Sequence, residues 1–391
     1  MSVRVAISTS VVQGGRSGVG QYVFGLLAAL HARLPGLEIL ILGLPGDRPL
    51  FEPWLDRFRW IPSPAGCRHP VADILWHQTA LRPKLRHLGI QVLHVPSYRR
   101  IVWHPPCAQI ATVHDCAAFA VRGKYSAARM FYGRRVVPAL AANADRIVTV
   151  SEATADDVAL HFRMPRSELR VVPNGIDHAR FRPPDPAAVK VWRGNDPVRR
   201  APYFIYVARV EHPAKNHVRL VEAFEEFKRH TGLPHRLVLG GADWHGAEEV
   251  HRRVAASPYR ADITAAGFVD AADLPFWYAG AEAMVYPSLF EGFGLPPVEA
   301  MACGCPVVCS GCGALAEVTG DAALRIDPLA PSEIAGVLGR VAQEPALRAR
   351  LREAGLRRAA LYSWERAAAA MSNLYLELAG PSPSAESRIT A

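Results

Sequence analysis

Short apolar segments alternate with amphipathic segments along most of the chain, and this alternation constrains the fold more than any other feature. The pattern runs through the first half and starts again near residue 203. Apolar runs of this length that alternate with helical periodicity predict buried parallel strands in a doubly wound α/β fold. The segments predicted as strands are 3–7, 39–42, 92–95, 110–115, 146–152, 203–208, 236–240, 263–268, 283–286, 306–309 and 323–326.

The length of 391 residues suits two domains better than one core. Residues 180–198 are rich in proline and charge, and we predict a linker there. We therefore expect an N-terminal Rossmann-like domain over 1–185, a C-terminal one over 186–362, a final helix over 363–380 and a disordered polar tail over 381–391.

The composition of the chain limits which partners and which cell compartment we expect. A formal net charge of +9 indicates acidic partners, and nucleic acid, an anionic membrane and phosphorylated substrates all fit. No apolar run approaches the roughly 18 residues of a membrane span. Residues 1–8 have the pattern of a first strand rather than of a signal peptide. We therefore expect a cytoplasmic protein.

The chain has seven cysteines, an odd number that argues against a complete disulfide framework. Four of them, at 303, 305, 309 and 312, have a spacing that suggests zinc. However, Gly304 and Cys305 resemble a helix end and 306–309 a buried strand, so that the ligands would point apart. We favour free cysteines buried as small apolar residues.

Residues 291–299 combine the features of a ligand site. Glu291 follows an apolar run, and Pro296 and Pro297 suit the first turn of a helix, where a missing N–H costs nothing. Free N–H groups at a helix start attract phosphate. The carboxylates of Glu291 and Glu299 can each accept bonds from sugar hydroxyls. The combination indicates a nucleotide-sugar, whereas either acid alone is equally consistent with a surface position.

Residues 290–308, Phe-Glu-Gly-Phe-Gly-Leu-Pro-Pro-Val-Glu-Ala-Met-Ala-Cys-Gly-Cys-Pro-Val-Val, resemble the E-x7-E signature of glycosyltransferase family 4. The likeness extends from the first strand to about residue 378. It implies the GT-B fold, in which two Rossmann-like domains face a central cleft and a C-terminal helix crosses back to the N-terminal domain. It also implies a retaining enzyme, with the acceptor on the N-terminal side and a nucleotide-sugar donor on the C-terminal side.

A second motif places two cations just after a predicted strand, in residues 206–217, Tyr-Val-Ala-Arg-Val-Glu-His-Pro-Ala-Lys-Asn-His. Cleavage of a nucleotide-sugar leaves negative charge on the diphosphate, and fixed cations aimed there stabilise the transition state. The resemblance assigns this role to Arg209 and Lys215. On composition alone, the segment is also consistent with a solvated basic loop.

The glycine-rich segment 14–20 follows the first predicted strand and is another anion-friendly pattern. The resemblance makes Gly18 part of a loop that faces the donor phosphates.

His114 and Asp115 end a predicted strand. A lone histidine is usually structural, but the resemblance places His114 beside the donor sugar, with Asp115 orienting its ring.

The resemblance thus assigns two sets of site residues. The catalytic set is His114, Arg209, Lys215 and Glu291. Glu291 of this set also holds sugar hydroxyls. In the donor-binding set, Glu299 binds the ribose and the turn 267–269 holds the nucleobase. The full donor-binding set is Gly18, Gly267, Phe268, Val269, Phe293, Gly294, Leu295 and Glu299.

No Asp-x-Asp motif occurs in the chain, so we expect neither a divalent metal nor a cofactor. The Gly-Phe-Gly-Leu-Pro-Pro form of the motif resembles bacterial mannosyltransferases that use GDP-mannose. UDP-glucose, UDP-N-acetylglucosamine and dTDP-rhamnose stay open as donors. The expected acceptor is a lipid-linked or oligosaccharide precursor in cell-surface polysaccharide synthesis.

Residues 117–143 contain no acidic side chain but interleave basic and aromatic ones. This segment fits contact with an anionic membrane on the inner face of the cell membrane, binding of an acceptor pyrophosphate, or a solvated basic helix. The side chains concerned are Arg122, Lys124, Arg129, Arg134 and Arg135 with Phe119, Tyr125, Phe131 and Tyr132.

Three other functions compete with transfer. Nucleotide-sugar 2-epimerases share the architecture, although the pairing of Arg209 and Lys215 with E-x7-E favours the transferase. An NAD-dependent Rossmann enzyme predicts an acid about twenty residues past the glycine loop, and residues 21–35 contain none. A nucleic-acid binder fits the charge, but no nucleic-acid motif appears.

Overall fold

The computed structural model describes residues 2–15, 17–32, 36–121, 126–194 and 196–380, which form two compact α/β units. The first unit contains the described residues up to 119, 126–175 and the helix that begins at Trp364. The second unit contains 176–363 together with Ala120 and Val121. The tail 381–391 and the basic-segment residues Arg122, Lys124 and Tyr125 lie outside the described residues.

The described part of the first unit contains a parallel sheet of seven strands. These are β1 (Val3–Ser8), β2 (Leu37–Gly43), β3 (Arg59–Pro62), β4 (Val92–Val95), β5 (Ala108–Val113), β6 (Arg146–Thr149) and β7 (Leu169–Val171). Their order is β3-β2-β1-β4-β5-β6-β7. The direction of the connections therefore reverses between β1 and β4, where Val5 pairs with Val92.

Helices surround this sheet. They are α1 (Gly18–Ala32), α2 (Pro70–Gln78), α3 (Leu81–His87), α4 (Ala117–Ala120), α5 (Ala127–Phe131), α6 (Val137–Ala141) and α7 (Glu152–Phe162). The helices of the second unit are α8 (Pro186–Arg193), α9 (Pro197–Arg200), α10 (His217–Thr231), α11 (Ala247–Ala255), α12 (Leu274–Gly280), α13 (Leu295–Ala302), α14 (Gly313–Thr319), α15 (Pro331–Gln343) and α16 (Pro345–Ala359), and α17 (Trp364–Ala379) follows.

The described part of the second unit contains a parallel sheet of six strands. These are β8 (Tyr203–Val207), β9 (Arg236–Gly240), β10 (Ile263–Gly267), β11 (Ala283–Tyr286), β12 (Val307–Ser310) and β13 (Ala323–Ile326). Their order is β10-β9-β8-β11-β12-β13. The sequence-based prediction of a doubly wound α/β fold is confirmed for both units.

Two strands were missed by the sequence analysis, and both lie at sheet edges. β3 has four residues that include an arginine and a proline, and β7 has three residues. Such short strands give too few alternating positions for a periodicity signal. β5 also ends at Val113, two residues before its predicted end, so His114 lies in the loop that follows.

The linker predicted over 180–198 is wrong, because α8 and the first two residues of α9 lie in this segment. Pro186 begins α8, and the Asp185 carboxylate accepts a hydrogen bond from the Ala187 N–H at 2.7 Å. Asp196 caps α9 in the same way. Proline in a first helical turn after a capping aspartate is helix-start chemistry, which resembles linker composition when only residue types are counted.

The last described helix, α17, packs on the first unit. Trp364, Met371 and Tyr375 are buried in one apolar cluster with residues of α1, β1 and β2. Gly25 of α1 allows this approach, because a Cβ atom at Gly25 would stand 2.1 Å from the Trp364 ring. The close contact fixes α17 against α1.

A buried polar chain also holds α17. The Tyr375 hydroxyl lies 2.7 Å from Nδ1 of His94, whose Nε2 lies 2.9 Å from the Thr112 hydroxyl. Thr112 is in turn 3.2 Å from the Tyr22 hydroxyl. Burial lowers the pKa of His94 to about 3, so the ring is neutral and can accept one bond and donate the other. Removing one member would leave a buried polar atom unpaired.

No helix in the described parts of the chain combines the length and apolar character needed to cross a membrane.

The contact between Gly25 and Trp364 predicts that Gly25→Ala destabilises the protein. The added methyl must displace the indole, and such overpacking costs roughly 1–3 kcal/mol of unfolding free energy. Chemical denaturation followed by circular dichroism measures this change in unfolding free energy.

Gly336→Ala is the matched control, because Gly336 lies within α15 with no atom within 4 Å of its Cβ position. The control should gain up to about 1 kcal/mol from helix propensity. Equal stability of Gly25→Ala and the wild type would contradict this packing.

Candidate active site

The topology of the second sheet places two loops side by side. β8 and β11 are neighbours, with Phe204 paired to Ala283 and Ile205 to Met284. The strand order reverses here, since β9 lies on one side of β8 and β12 on the far side of β11. Open α/β sheets bind ligands at the carboxyl ends of strands at such a switch point. The loop that carries Arg209 and Lys215 follows β8, and the loop that carries Glu291 follows β11.

Hydrogen bonds tie these two loops together. The Leu289 N–H donates to the Ala214 carbonyl at 2.9 Å, and the Ser288 hydroxyl donates to the same carbonyl at 3.3 Å. The buried Asn216 amide donates to the carbonyls of Pro287 at 3.1 Å and Pro328 at 2.6 Å. The loops therefore hold a fixed relative position before any ligand binds.

Lys215 and Glu291 form an ion pair across the two loops. Their side chains are 13% and 15% exposed, so both charges are largely removed from water yet still reachable. The Tyr286 hydroxyl donates to the same Glu291 oxygen at 3.1 Å, and Tyr206 donates to the Lys215 carbonyl at 2.7 Å. Burial, together with the Glu291 charge, raises the pKa of Tyr286 well above its usual value, so its hydroxyl stays a donor.

Arg209 stands at the start of the same loop. Its guanidinium lies 3.2 Å from the carboxylate of the buried Glu211 and 4.8 Å from the centre of the Trp244 ring. The side chain is still 45% exposed. A guanidinium has five N–H donors, and those not used by Glu211 can bind an anion.

The segment from Glu291 to Glu299 forms a tight turn into α13. Gly294 has φ +92°, and a Cβ atom there would stand 2.5 Å from the Leu315 side chain. Pro296 and Pro297 occupy the first turn of α13 and carry no N–H. The Leu295 N–H is a first-turn donor without an intrahelical acceptor, which is the arrangement that binds anions.

Glu299 lies in α13 in a poorly solvated position. Burial raises the pKa of its carboxyl to about 7, against the opposing effects of a Tyr278 hydrogen bond and the Arg180 charge. The Tyr278 hydroxyl lies 3.4 Å from Oε2 of Glu299. Near neutral pH, this carboxyl is therefore poised between its protonated and ionised forms.

The other residues assigned to donor binding differ in exposure. Gly267 has φ +66°, and its carbonyl accepts the Gly241 N–H at 2.7 Å. Phe268 is 66% exposed, and Val269 is half-buried. Phe293 is buried, with its ring edge-to-face on Tyr362 at 5.3 Å. Any ligand contact at position 293 would therefore come from its backbone.

Gly18 and His114 belong to the first unit. Gly18 is the first residue of α1, and the Ser17 hydroxyl accepts the Gly20 N–H at 3.1 Å. His114 contacts Tyr22 of α1 at 4.8 Å between ring centres, and its Nε2 lies 2.8 Å from the Pro96 carbonyl.

Burial lowers the pKa of His114, so the ring is neutral near pH 7. A neutral ring that donates from Nε2 to a carbonyl leaves Nδ1 as an acceptor. This carbonyl orients the ring, and the nearby Asp115 charge opposes the fall in the His114 pKa. An orienting role for Asp115 stays a prediction. The Asp115 carboxylate accepts the Ala117 N–H at 2.9 Å.

The sequence analysis missed the tyrosines 206, 278 and 286 and Asn216, which position the charged groups. The sequence does mark these residues, because each is a polar side chain within an apolar segment. A hydroxyl or amide that is buried there needs a hydrogen-bond partner. Of the four clustered cysteines, Cys303, Cys305 and Cys309 are buried, as the sequence analysis expects, whereas Cys312 is exposed. In the described residues, no group of three or more His, Cys, Asp or Glu side chains has the geometry to hold a metal ion.

The raised pKa of Glu299 predicts a pH-dependent stability. Between pH ~4.5 and ~7 the folded protein holds a proton that the unfolded chain has lost, so this group makes stability fall as pH rises through that range. Glu299→Gln removes the effect. Its unfolding free energy relative to wild type should rise by roughly 1–3 kcal/mol between pH 4.5 and pH 8. Urea denaturation at several pH values measures it, and parallel curves for the two proteins would contradict the raised pKa.

Two family models match the chain. The model described as Glycosyltransferase Family 4 matches residues 16–180, and the model described as Glycosyl transferases group 1 matches residues 193–358. The first covers α1 to β7, and the second covers β8 to all but the last residue of α16.

Curated relatives agree with these models. O-antigen chain mannosyltransferase B of Escherichia coli is 28% identical over 75% of this chain and 78% of its own. The MMP alpha-(1->4)-mannosyltransferase of Mycolicibacterium hassiacum is 32% identical over 59% of this chain, and the match spans about half of that enzyme, 53%.

Solved structures share the fold. Sucrose-phosphate synthase from Thermosynechococcus elongatus has a TM-score of 0.79 at 22% identity, over 96% of this chain and 99% of its own. Anabaena HepE in complex with UDP-glucose has a TM-score of 0.77 at 16% identity, over 96% and 100%. These structures show that the chain has the GT-B fold, built from two Rossmann-like domains. The two family models, which match residues 16–180 and 193–358, show that it belongs to glycosyltransferase family 4.

Proposed function

We propose that this chain is a retaining, metal-independent hexosyltransferase that moves mannose from GDP-mannose to a lipid-linked or oligosaccharide acceptor in cell-surface polysaccharide synthesis. The observation that carries the proposal is the Lys215–Glu291 ion pair at the switch point between β8 and β11. In this pair, a cation that can bind a diphosphate lies beside a carboxylate that can bind sugar hydroxyls. The similarity to two mannosyltransferases favours mannose.

The donor diphosphate would bind at the carboxyl ends of β8 and β11. Arg209 offers a forked set of donors, Lys215 a point charge and the Leu295 N–H the start of a helix. These fixed positive groups would stabilise the charge that develops when the bond from the anomeric carbon to the β-phosphate oxygen breaks. They would take the place of a divalent metal.

The remaining donor contacts follow from the same arrangement. Glu291 would accept hydrogen bonds from hydroxyls of the hexose, and Glu299 would accept them from hydroxyls of the ribose. The exposed turn formed by Gly267, Phe268 and Val269 would hold the base. In the first unit, Gly18 lies at the start of α1, where N–H groups suit an anion, and Nδ1 of the neutral His114 would accept a hydrogen bond from a hydroxyl.

Retention would follow from substitution on one face of the sugar. The acceptor oxygen bonds to the anomeric carbon on the side from which the diphosphate departs. The acceptor proton passes to the leaving phosphate oxygen, so no enzyme nucleophile is required. The carboxylate of Glu291 is held by Lys215 and Tyr286, which suits hydroxyl binding better than covalent attack.

The acceptor is proposed on chemistry alone. The exposed Phe131 and the neighbouring basic side chains Arg129 and Arg135 would contact an anionic membrane surface at the inner face of the cell membrane. This placement would bring a cytoplasmic enzyme to a lipid-linked glycan.

The first test removes each charge of the central pair. Lys215→Met and Glu291→Gln should each lower transfer by about 10²–10³-fold, because Lys215 would stabilise the leaving diphosphate and Glu291 would hold the hexose in position. Release of nucleoside diphosphate from the donor measures the rate, and proton NMR of the product reports the anomeric configuration.

Glu225→Gln is the matched control for this test. Glu225 pairs with Arg253 at 2.7 and 2.6 Å, with side chains 13% and 23% exposed, in the same unit. Breaking that pair should cost similar stability and leave transfer intact. Near wild-type rates in Lys215→Met or Glu291→Gln would overturn the site assignment.

The second test identifies the nucleotide. GDP, UDP, dTDP and NAD are added separately at equal concentration, and thermal unfolding is followed. A ligand that binds the folded state at a hundred times its Kd stabilises it by about 2.7 kcal/mol. We expect GDP to give the largest shift and NAD none.

A shift with NAD alone would contradict the proposal. A larger shift with UDP or dTDP would keep the transferase and change the donor. A product whose sugar remains on the nucleotide would instead support the 2-epimerase.

A further inference from the structure

A second group of cations lies at the end of the second sheet where its strands begin, opposite the end that carries the proposed donor site. It lines a cavity of about 260 Å³. The backbone segments around this cavity, 279–282 and 304–306, come just before β11 and β12, whereas Glu291 follows β11. The cavity therefore lies at the amino ends of the strands, away from the proposed donor site.

Three arginines give the cavity its charge. Arg193, Arg348 and Arg352 line it together with one acidic side chain, Glu282. Glu282 is already used, because Nε2 of His235 lies 3.0 Å and Nη1 of Arg348 3.6 Å from its Oε2. The cavity therefore has a net positive charge.

Two of these arginines have guanidinium donors without an acceptor among the described residues. Nε of Arg193 is buried there without a partner, while its Nη2 donates to the Gly280 carbonyl. Buried polar groups normally have partners, so this Nε points to an absent acceptor. Arg352 is exposed and makes no hydrogen bond or ion pair with any residue that the structure describes, so its guanidinium can bind the same ligand.

We propose that this cavity binds a phosphate group, carried as inorganic phosphate or on a small phosphomonoester. Guanidinium forks match phosphate oxygens in geometry and charge. The volume of about 260 Å³ equals that of roughly eight or nine waters at about 30 Å³ each, which admits a phosphate and a small organic group. The proposal does not depend on the transfer reaction.

The site has a defined place relative to the donor residues. Gly280 ends α12, which carries Tyr278, and Gly304 follows α13, which carries Glu299. A phosphate bound by Arg193 and Arg352 would therefore connect the carboxyl ends of α12 and α13. The same two helices carry Tyr278 and Glu299, whose side chains approach each other to 3.4 Å. The arginines would separate the phosphate from the negative ends of both helix dipoles.

Isothermal titration calorimetry tests the proposal on the full chain without nucleotide. Inorganic phosphate and glucose 6-phosphate are titrated separately at constant ionic strength. Arg352→Gln should weaken binding about tenfold or more, because it removes a charged donor that has no other partner. A thermal melt checks that this variant is folded.

Two variants locate the binding. Arg350→Gln is the matched control, since Arg350 is exposed, lies on the same helix and does not line the cavity. Lys215→Gln removes a cation of the proposed donor site. Arg350→Gln should bind phosphate as the wild type does. Lys215→Gln should lose only phosphate binding at the proposed donor site and should keep the binding that Arg352→Gln weakens.

The outcomes are distinct. Tighter binding of glucose 6-phosphate than of inorganic phosphate would identify an ester as the ligand, and the reverse would identify free phosphate. No binding by the wild type, or equal affinities in the wild type and Arg352→Gln, would overturn the proposal. Loss of binding only in Lys215→Gln would also overturn it and would move the phosphate to the donor site.

Discussion

The pairing of β8 with β11 is the constraint on which the candidate site depends. These strands are far apart in sequence, yet the register of Phe204 with Ala283 and Ile205 with Met284 sets their carboxyl ends side by side. The loops that follow must then share one crevice, and the hydrogen bond from Leu289 to the Ala214 carbonyl fixes their spacing. The ion pair of Lys215 and Glu291 is a consequence of this backbone arrangement.

Partial burial gives the charged groups their chemical character. Lys215 and Glu291 are largely shielded from water, and each is also held by a tyrosine, so their attraction is stronger than that of a surface pair. Among the described residues, no cation lies in direct contact with Glu299, and burial raises the pKa of its carboxyl to about 7. A preorganised site of this kind can bind a diphosphate and hydroxyls with little rearrangement.

Sequence reasoning was successful where the signal is local. Runs such as Tyr-Phe-Ile-Tyr-Val in β8 are apolar enough to show as buried strands, and Pro296 and Pro297 indicate a helix start by their chemistry. It failed for β7, which is three residues long, and for α8, whose proline and capping aspartate resemble a linker. The roles of Tyr286 and Asn216 and the cavity of three arginines depend on contacts between distant segments, which a single sequence does not encode in its spacing. The pKa of Glu299 likewise depends on tertiary burial.

The most direct test of the central claim is a crystal structure of the protein with a bound nucleoside diphosphate. We expect phosphate oxygens within hydrogen-bonding distance of Lys215, Arg209 and the Leu295 N–H, at the carboxyl ends of β8 and β11. A nucleotide held only by the glycine-rich segment 14–20 of the first unit, with the loops after β8 and β11 empty, would contradict it.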